Sequence, residues 1–493
     1  NLVSGIQLIA DPYIFVAMAI GTLYGIVVGV LPGLGPVVGL TICLPFTYSM
    51  DQATAITLLL GVYCGSVYGG SISAILINTP GTPQSAVTCL DGFPMTQQGR
   101  TGEALGWATV ASVAGGLFSC LVLIVAAPQL AAIALKFGPV ETFALITLAL
   151  TCIATISRGS MAKGLLSGIA GLFFATVGSD PMTGDVRFNF DFFALTAGIS
   201  LIPMIVGIFA LSEVLFRCGE ISREIPDFSR FTSIVLPSWR EWKPRLGVLF
   251  KASAIGSFIG VLPGTGAATA AFISYAEAKR SSPRRDKLGT GEPDGIIAGE
   301  AANNAVTGGA LVPTLALGIP GDPVTAVMMT TMIVHGITPG VRLMVENGPM
   351  VYGMFVSLII INIMMLGLGI LTARVSKRIL RTPEPLLMAM VVILCLLGSY
   401  GVRGNAFDLL TTLAFGGIGY LMRLFRFPLA PLVIGMVLGP QFEMSLRRGL
   451  IVTDGSFSAF FVGHPIAVGL CVTTLLILAW PLIRSTLWSN RRT

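Results

Sequence analysis

"GVLPGLG" at residues 29–35 and "GVLPGTG" at residues 260–266 repeat one Pro-Gly phrase 231 positions apart (260 − 29), each inside a long apolar block. Proline ends a helix because it has no N–H to donate and its ring clashes with the preceding turn. Glycine permits the reversal that follows and leaves backbone N–H groups uncovered. Irregular backbone at membrane depth survives only where protein buries it or where it lines a cavity. Segment 246–278 lies between two basic stretches and is shorter than the roughly 40 residues that two full spans need. It is therefore expected to go in, break at Pro263-Gly264-Thr265-Gly266 and return to the side it came from, with Pro32-Gly33-Leu34-Gly35 as the matching break.

Composition sets the class. Of 493 residues, 54% are hydrophobic and 11% charged, and the mean hydropathy is +0.84. A soluble domain carries about 25% charged residues. The apolar blocks have the length that crosses about 30 Å of hydrocarbon and do not alternate as barrel strands do. The chain reads as an all-α polytopic protein of the lipid bilayer. Residues 1–12 hold no Lys or Arg, so no signal-peptide n-region is expected there. The net charge of +6 reads as positive-inside bias, with no nucleic-acid partner. Eight scattered cysteines without a C-x-x-C suit core filling, and no metal cluster is expected of them. "GVLPGTGAAT" lacks the Lys-Ser/Thr of a P-loop, so any pumping draws on an ion gradient.

The repetition extends further. "GGSISAILINTPGTP" (69–83) recurs as "GGALVPTLALGIPGDP" (308–323), and 202–217 resembles 430–447 through Pro203/Pro431 and Gly207/Gly435. Three elements in the same order indicate an internal duplication. Cytoplasmic loops collect Lys and Arg, and equivalent loops here carry opposite bias. "YSMDQ" (48–52) has no cation, whereas "AKRSSPRRDK" (278–287) has five; the loop at Lys136 faces one with Arg374, Lys377, Arg378 and Arg381; Arg158 and Lys163 face only Arg403. The halves are accordingly expected to be inverted: 1–216 as the first repeat, 217–245 as a basic cytoplasmic linker, 246–456 as the second repeat and 457–493 as an extra span and tail. With the N-terminus outside, 13–48 enters and returns, 53–90 crosses inward, 103–127 outward, 139–156 inward, 161–179 outward and 193–216 inward. Lys136, Arg447 and Arg448 fall outside on this path, against the bias.

Broken helices in two inverted halves point to a midplane transport site, and the helix starts beyond the breaks attract anions. Candidate substrate-binding residues are Pro32, Gly33, Leu34 and Gly35; Asn78, Thr79, Pro80 and Gly81; Pro263, Gly264, Thr265 and Gly266; Asn303 and Asn304; and Pro320 and Gly321, with Asp322, Glu300, Asn303 and Asn304 as cation-coupling candidates. The plainer reading is a set of proline kinks packed by small residues. No Arg cluster lies in any span, and Lys251 is placed to snorkel to the surface. An anion would then be held by helix ends, hydroxyls and amides, with a co-bound Na+ or H+ supplying positive charge. In "GEAANN" (299–304), Glu300, Asn303 and Asn304 share a helix face, where the first half has Gly61, Cys64 and Gly65. Glu300 is about one turn from the loop and is either a working group or a solvated one. Asp322, beside a break, is the better cation ligand or proton site, with a Na+ position near Asp322 and Thr265. His335 and His464 read as lone and structural. No nucleophile–base or paired-acid set appears, so no enzyme and no cofactor is expected; an anion channel, and after it an intramembrane hydrolase, are the alternatives.

"LPGLGP", "GVYCGSVYGGSISAILINTPGTPQSAVTCLDGFPM", "GVLPGTGAATAAFISYAEAK" and "GEAANNAVTGGALVPTLALGIPGDP" together resemble the large membrane subunit of the bacterial tripartite tricarboxylate transporters, over essentially the whole chain. The resemblance implies a multi-pass secondary transporter of the inner membrane for citrate or related di- and tricarboxylates. It also implies a small membrane subunit and a periplasmic substrate-binding protein as partners. By analogy with other binding-protein-dependent carriers, sodium or proton symport and an elevator-like movement are expected. The family's Pro-Gly and Asn-Asn motifs fall on Pro32, Gly33, Gly35, Pro80, Gly81, Pro263, Gly264, Gly266, Asn303, Asn304, Pro320 and Gly321.

Overall fold

Both Pro-Gly phrases fold into the same backbone. In the computed structural model, which describes residues 2–156, 160–218, 234–456, 458, 460 and 462–489, helix Pro12–Val30 stops at Leu31 and helix Leu246–Val261 stops at Leu262. Each leucine precedes a proline, whose ring excludes the helical conformation; their ψ angles are 111° and 112°. Gly33 and Gly264 then take φ of 89° and 86°, and Gly35 and Gly266 φ of 64° and 71°, values that favour glycine. The helices resume as Gly35–Thr47 and Gly266–Ser281. Arg158, Arg491, Arg492 and the linker residues 219–233 lie outside the described residues.

Each broken helix folds back on itself. The Tyr24 hydroxyl reaches the Gly39 carbonyl at 3.4 Å, and Lys251 donates to the Ser281 hydroxyl at 3.0 Å. The outgoing arm of each hairpin lies along a long helix, Gln52–Ile77 or Pro293–Leu317. A Cβ on Gly21, Gly25 or Gly29 would meet the carbonyl of Leu58, Val62 or Ser66. That constant offset of 37 (58 − 21, 62 − 25, 66 − 29) means that the helices run parallel, backbone on backbone. Gly256 on Ala302 and Gly260 on Val306 repeat the arrangement with a constant offset of 46 (302 − 256, 306 − 260). Small residues are what allow such close approach.

The two long helices run in opposite senses. Gln52, at the start of the first, donates to the His335 carbonyl beyond the end of the second segment, at 2.7 Å. Gln98, past the end of the first segment, donates to the Thr290 carbonyl just before the second helix, at 2.7 Å. The first hairpin therefore opens toward the end holding Asp51 and His335. The second opens toward the end where Arg245 pairs with Glu292 at 2.8 Å and where Lys279, Arg280, Arg284, Arg285 and Lys287 collect.

Both long helices break again. Asn78 and Gly318 cap them in the left-handed conformation, with φ of 53° and 69°, a usual helix stop. The chain resumes at Pro83 and Pro323, proline being well suited to a first helical position. Gly33 donates to the Gly81 carbonyl at 3.4 Å and Gly264 to the Gly321 carbonyl at 2.8 Å. Each hairpin tip is thus pinned to the break in its own long helix. The contacts of Gly29 with Gly69 and of Gly260 with Gly309 set an offset of 240 (309 − 69) for the long helices. This pairs Leu60, Tyr63 and Cys64 with Glu300, Asn303 and Asn304, correcting by one residue the Gly61, Cys64 and Gly65 read from sequence.

Among the described residues, six helices are long and apolar enough to cross a membrane. The block expected at 103–127 is one helix, Thr101–Ala134, about 51 Å long at 1.5 Å per residue. The blocks expected at 161–179 and 193–216 are shorter. Their helices are Met161–Ala175 and a run from Leu201 to Arg217 that passes through a π turn at Val206–Leu211. Between them lies a loop with a two-residue strand pair, Gly178–Ser179 and Val186–Arg187. The final span begins at Pro465. Arg447, placed against the charge bias, is paired with Asp180 and with Glu443 at 2.7 Å each, and Arg187 holds Glu443 at 2.6 Å. The Met182 N–H, then Arg447, hold the Asp180 carboxyl near 2. His464 is not lone: its Nδ1 lies 2.6 Å from Glu141.

Candidate functional site

The helix restarts meet at one place. A cavity of about 210 Å³ is bounded by Pro36 and Val37 from the first hairpin, Gly266, Ala267 and Ala268 from the second, Pro83 and Gln84 after the first long-helix break, and Asp322, Pro323 and Val324 after the other. Tyr63, Val67, Asn303 and Thr307 wall it from the two long helices. The first N–H groups of a helix have no partner within it and carry its positive dipole end. The α-helix starts at Gly35 and Gly266, together with the 3-10 turn at Pro83, therefore aim donors at this space, while Asp322 takes the Thr325 N–H at the third start. A larger hollow of about 750 Å³ lies at the Asp51, His335 and Glu346 end, where no helix break reaches it.

The predicted turn residues sit one step behind the wall. Pro32, Gly33, Leu34 and Gly35, and likewise Asn78, Thr79, Pro80 and Gly81, shape the reversals, while the residues just after them line the cavity. The same holds for Pro263, Gly264 and Thr265 and for Pro320 and Gly321; Gly266 and Asp322 do reach it. Thr265 turns its hydroxyl back onto the Ile259 and Leu262 carbonyls at 2.6 and 2.9 Å.

Asp322 is a buried helix cap as well as a wall residue. It accepts from the Thr325 N–H at 2.7 Å and the Thr325 hydroxyl at 2.9 Å on Oδ1, and from the Tyr63 hydroxyl at 2.8 Å on Oδ2. Asn303 is fully buried. Its Nδ2 lies 3.5 Å from the Val67 carbonyl and its Oδ1 has no partner. Asn304 turns away and donates to the Glu300 carbonyl at 3.0 Å.

Glu300 is neither solvated nor in the cavity. It is completely buried and accepts from Thr88 and, at 3.0 Å, from Ser112. The candidates at Glu300 and Asp322 thus occupy separate surroundings. Among the described residues no three His, Cys, Asp or Glu side chains group to hold a metal.

Several residues not among the predicted site residues contribute. Tyr63, Gln84 and Thr307 reach the cavity without a sequence signal to single them out. Arg217 grips the first hairpin tip: Nη1 donates to the Pro32 carbonyl at 3.1 Å, and a Cβ on Gly33 would fall on the guanidinium. Glu213 at 2.6 Å and Glu384 at 3.0 Å hold Arg217 in turn, and Arg423 binds Glu213 at 2.6 Å. Gly264, at the other tip, lies against Ile153. Asp91, also unremarked in the sequence, ties the basic end together. It accepts from the N–H groups of Gly289, Gly291 and Glu292 at 2.8–2.9 Å and from Tyr275 at 2.9 Å.

Residues 15–434 match the model of the tripartite tricarboxylate transporter TctA family. The chain is 36% identical over 488 residues to an uncharacterized 52.8 kDa protein in the TAR-I ttuC' 3' region of Agrobacterium vitis, covering 98% of this chain and 97% of that one. A second uncharacterized protein, from the TAR-II ttuC' 3' region of the same organism, is 34% identical over 233 residues, 47% of this chain and 96% of that one. No solved structure matches the chain.

Proposed function

We propose, on the premise that this chain belongs to the tripartite tricarboxylate transporter TctA family, that it is the subunit in which the substrate crosses the bacterial inner membrane. Membership supports reading it as the large, multi-pass subunit of a three-part transporter, and points to a transporter rather than an enzyme. The finer reading is uptake of citrate or related di- and tricarboxylates by cation symport, with substrate delivered by a periplasmic binding protein and a small membrane subunit alongside.

The observation that carries it is the convergence of the helix restarts on one 210 Å³ cavity. A carboxylate there meets backbone donors and positive dipole ends, each end worth about half a charge. With no Arg among the described residues of the cavity wall, a polyanion leaves a deficit that a co-transported cation offsets. Asp322 is the acidic group on that wall, and oxygen ligands suit a hard cation.

Hairpins that open to opposite ends beside antiparallel long helices support two inverted repeats, and the basic end reads as cytoplasmic by the positive-inside rule. The tip contacts of Arg217 and Ile153 lie where one body would slide on the other in an elevator movement.

The test is initial uptake of labelled carboxylates into vesicles carrying the chain with its two partner subunits, across sodium concentration and pH. Cation-dependent accumulation is expected, and Asp322→Asn, which keeps the helix cap, is expected to shift the cation midpoint. Uptake indifferent to both ions sinks the symport reading. An unchanged midpoint in the variant removes Asp322 from it.

A further inference from the structure

The polar atoms around the cavity divide by direction. The donors are backbone N–H groups at the helix starts and the side-chain amide of Gln84. The side chains of the long helices present acceptors instead. Tyr63 has donated its proton to Asp322 at 2.8 Å, and Thr307 has donated its own to the Asn304 carbonyl at 2.7 Å. The Asn303 amide is oriented by the Val67 carbonyl, which draws Nδ2 at 3.5 Å and leaves Oδ1 without a partner. That oxygen is completely buried, on a residue that walls the cavity. An unmatched buried acceptor is costly, and a carboxylate beside it only adds repulsion. A donor carried by the substrate would satisfy it.

We infer that this site selects hydroxylated carboxylates, the substrate's alcohol O–H donating to Asn303 Oδ1 while its carboxylates take the N–H groups at the helix starts. The assignment rests on the transport reading above and narrows it. A site built to pair a hydroxyl rejects the analogue that lacks one, because its own acceptor is then stranded. In the first half the position equivalent to Asn303 is Tyr63 (303 − 240), whose hydroxyl is already committed to Asp322. Of the two long helices, only the second therefore offers the selecting acceptor.

The experiment compares acids that differ by one hydroxyl, malate against succinate and citrate against tricarballylate, as kcat/KM for uptake. At least tenfold preference for the hydroxylated partner is expected in the wild type. In Asn303→Leu, close in volume but without the amide, the ratio of kcat/KM between the hydroxylated acid and its partner should collapse toward one. The binding protein has selectivity of its own, so the comparison is repeated on the purified full chain. There, binding is read as protection of a Val37→Cys thiol in an otherwise cysteine-free background, with Asn303→Ala as a second variant. Equal handling of both acids by the wild type overturns the assignment, as does a preference that survives in properly inserted Asn303 variants. A shifted sodium dependence with intact hydroxyl preference also overturns it, giving the oxygen to the cation. If the wild type takes up none of the four acids, the carboxylate reading fails and this one with it.

Discussion

Arg217→Gln should release the first hairpin tip without dismantling its surroundings. The guanidinium spans three acceptors: the Pro32 carbonyl at 3.1 Å, Glu213 at 2.6 Å and Glu384 at 3.0 Å. Glu213 keeps Arg423 as a partner at 2.6 Å, so the substitution leaves only Glu384 without a cation. Glu384 is about a quarter exposed, and water absorbs most of that loss. What disappears is a charge-assisted hydrogen bond at the C-terminal, negative end of the arm Pro12–Val30, worth about 1.5–3 kcal/mol. Partial exposure of Arg217 favours the lower figure, about tenfold in the open fraction of the tip at 1.4 kcal/mol per decade. The reporter is Leu34→Cys, a tip position only 5% exposed, in a cysteine-free background. Its labelling by a membrane-permeant maleimide should run about tenfold faster in Arg217→Gln. Arg217→Lys should fall between, because one ammonium cannot reach all three acceptors. Labelling rates equal in all three proteins would refute the grip on the tip.

The glycines at the two tips should fail for different reasons. Gly264→Leu forces a side chain into φ 86°, costing about 1–2 kcal/mol, with its Cβ 2.6 Å from Ile153 Cα; Gly33→Leu drives into Arg217. Both should insert normally and lose uptake, measured as initial rate per inserted molecule, and normal rates in both would reject the tips as working parts. Hairpins opening to opposite sides predict that Cys at Ser49 labels only from the periplasm and Cys within 281–287 only from the cytoplasm; labelling of both from one face contradicts the inversion.

The breaks in the membrane helices were legible in the chain itself because their causes are local. Leu31 and Leu262 are pushed out of the helix by the prolines that follow them, and glycine supplies the left-handed turns at 33, 35, 264 and 266. Composition made the class equally plain, since 11% charged residues cannot cover a water-facing surface. The end at which each hairpin opens could be anticipated from where Lys and Arg collect. Which side chains share the cavity was not legible. Tyr63 meets Asp322 across 259 positions, and nothing near either residue announces the other. Glu300 looked one turn from solvent along its own helix; helices packed from elsewhere in the chain bury it against Thr88 and Ser112. Arg217 drew attention only as the start of a basic linker, yet it closes on Pro32 from 185 positions away. Local backbone chemistry decides where a helix must stop. Only the crossing of helices distant in sequence decides which side chains, donors and charges face one another when it does.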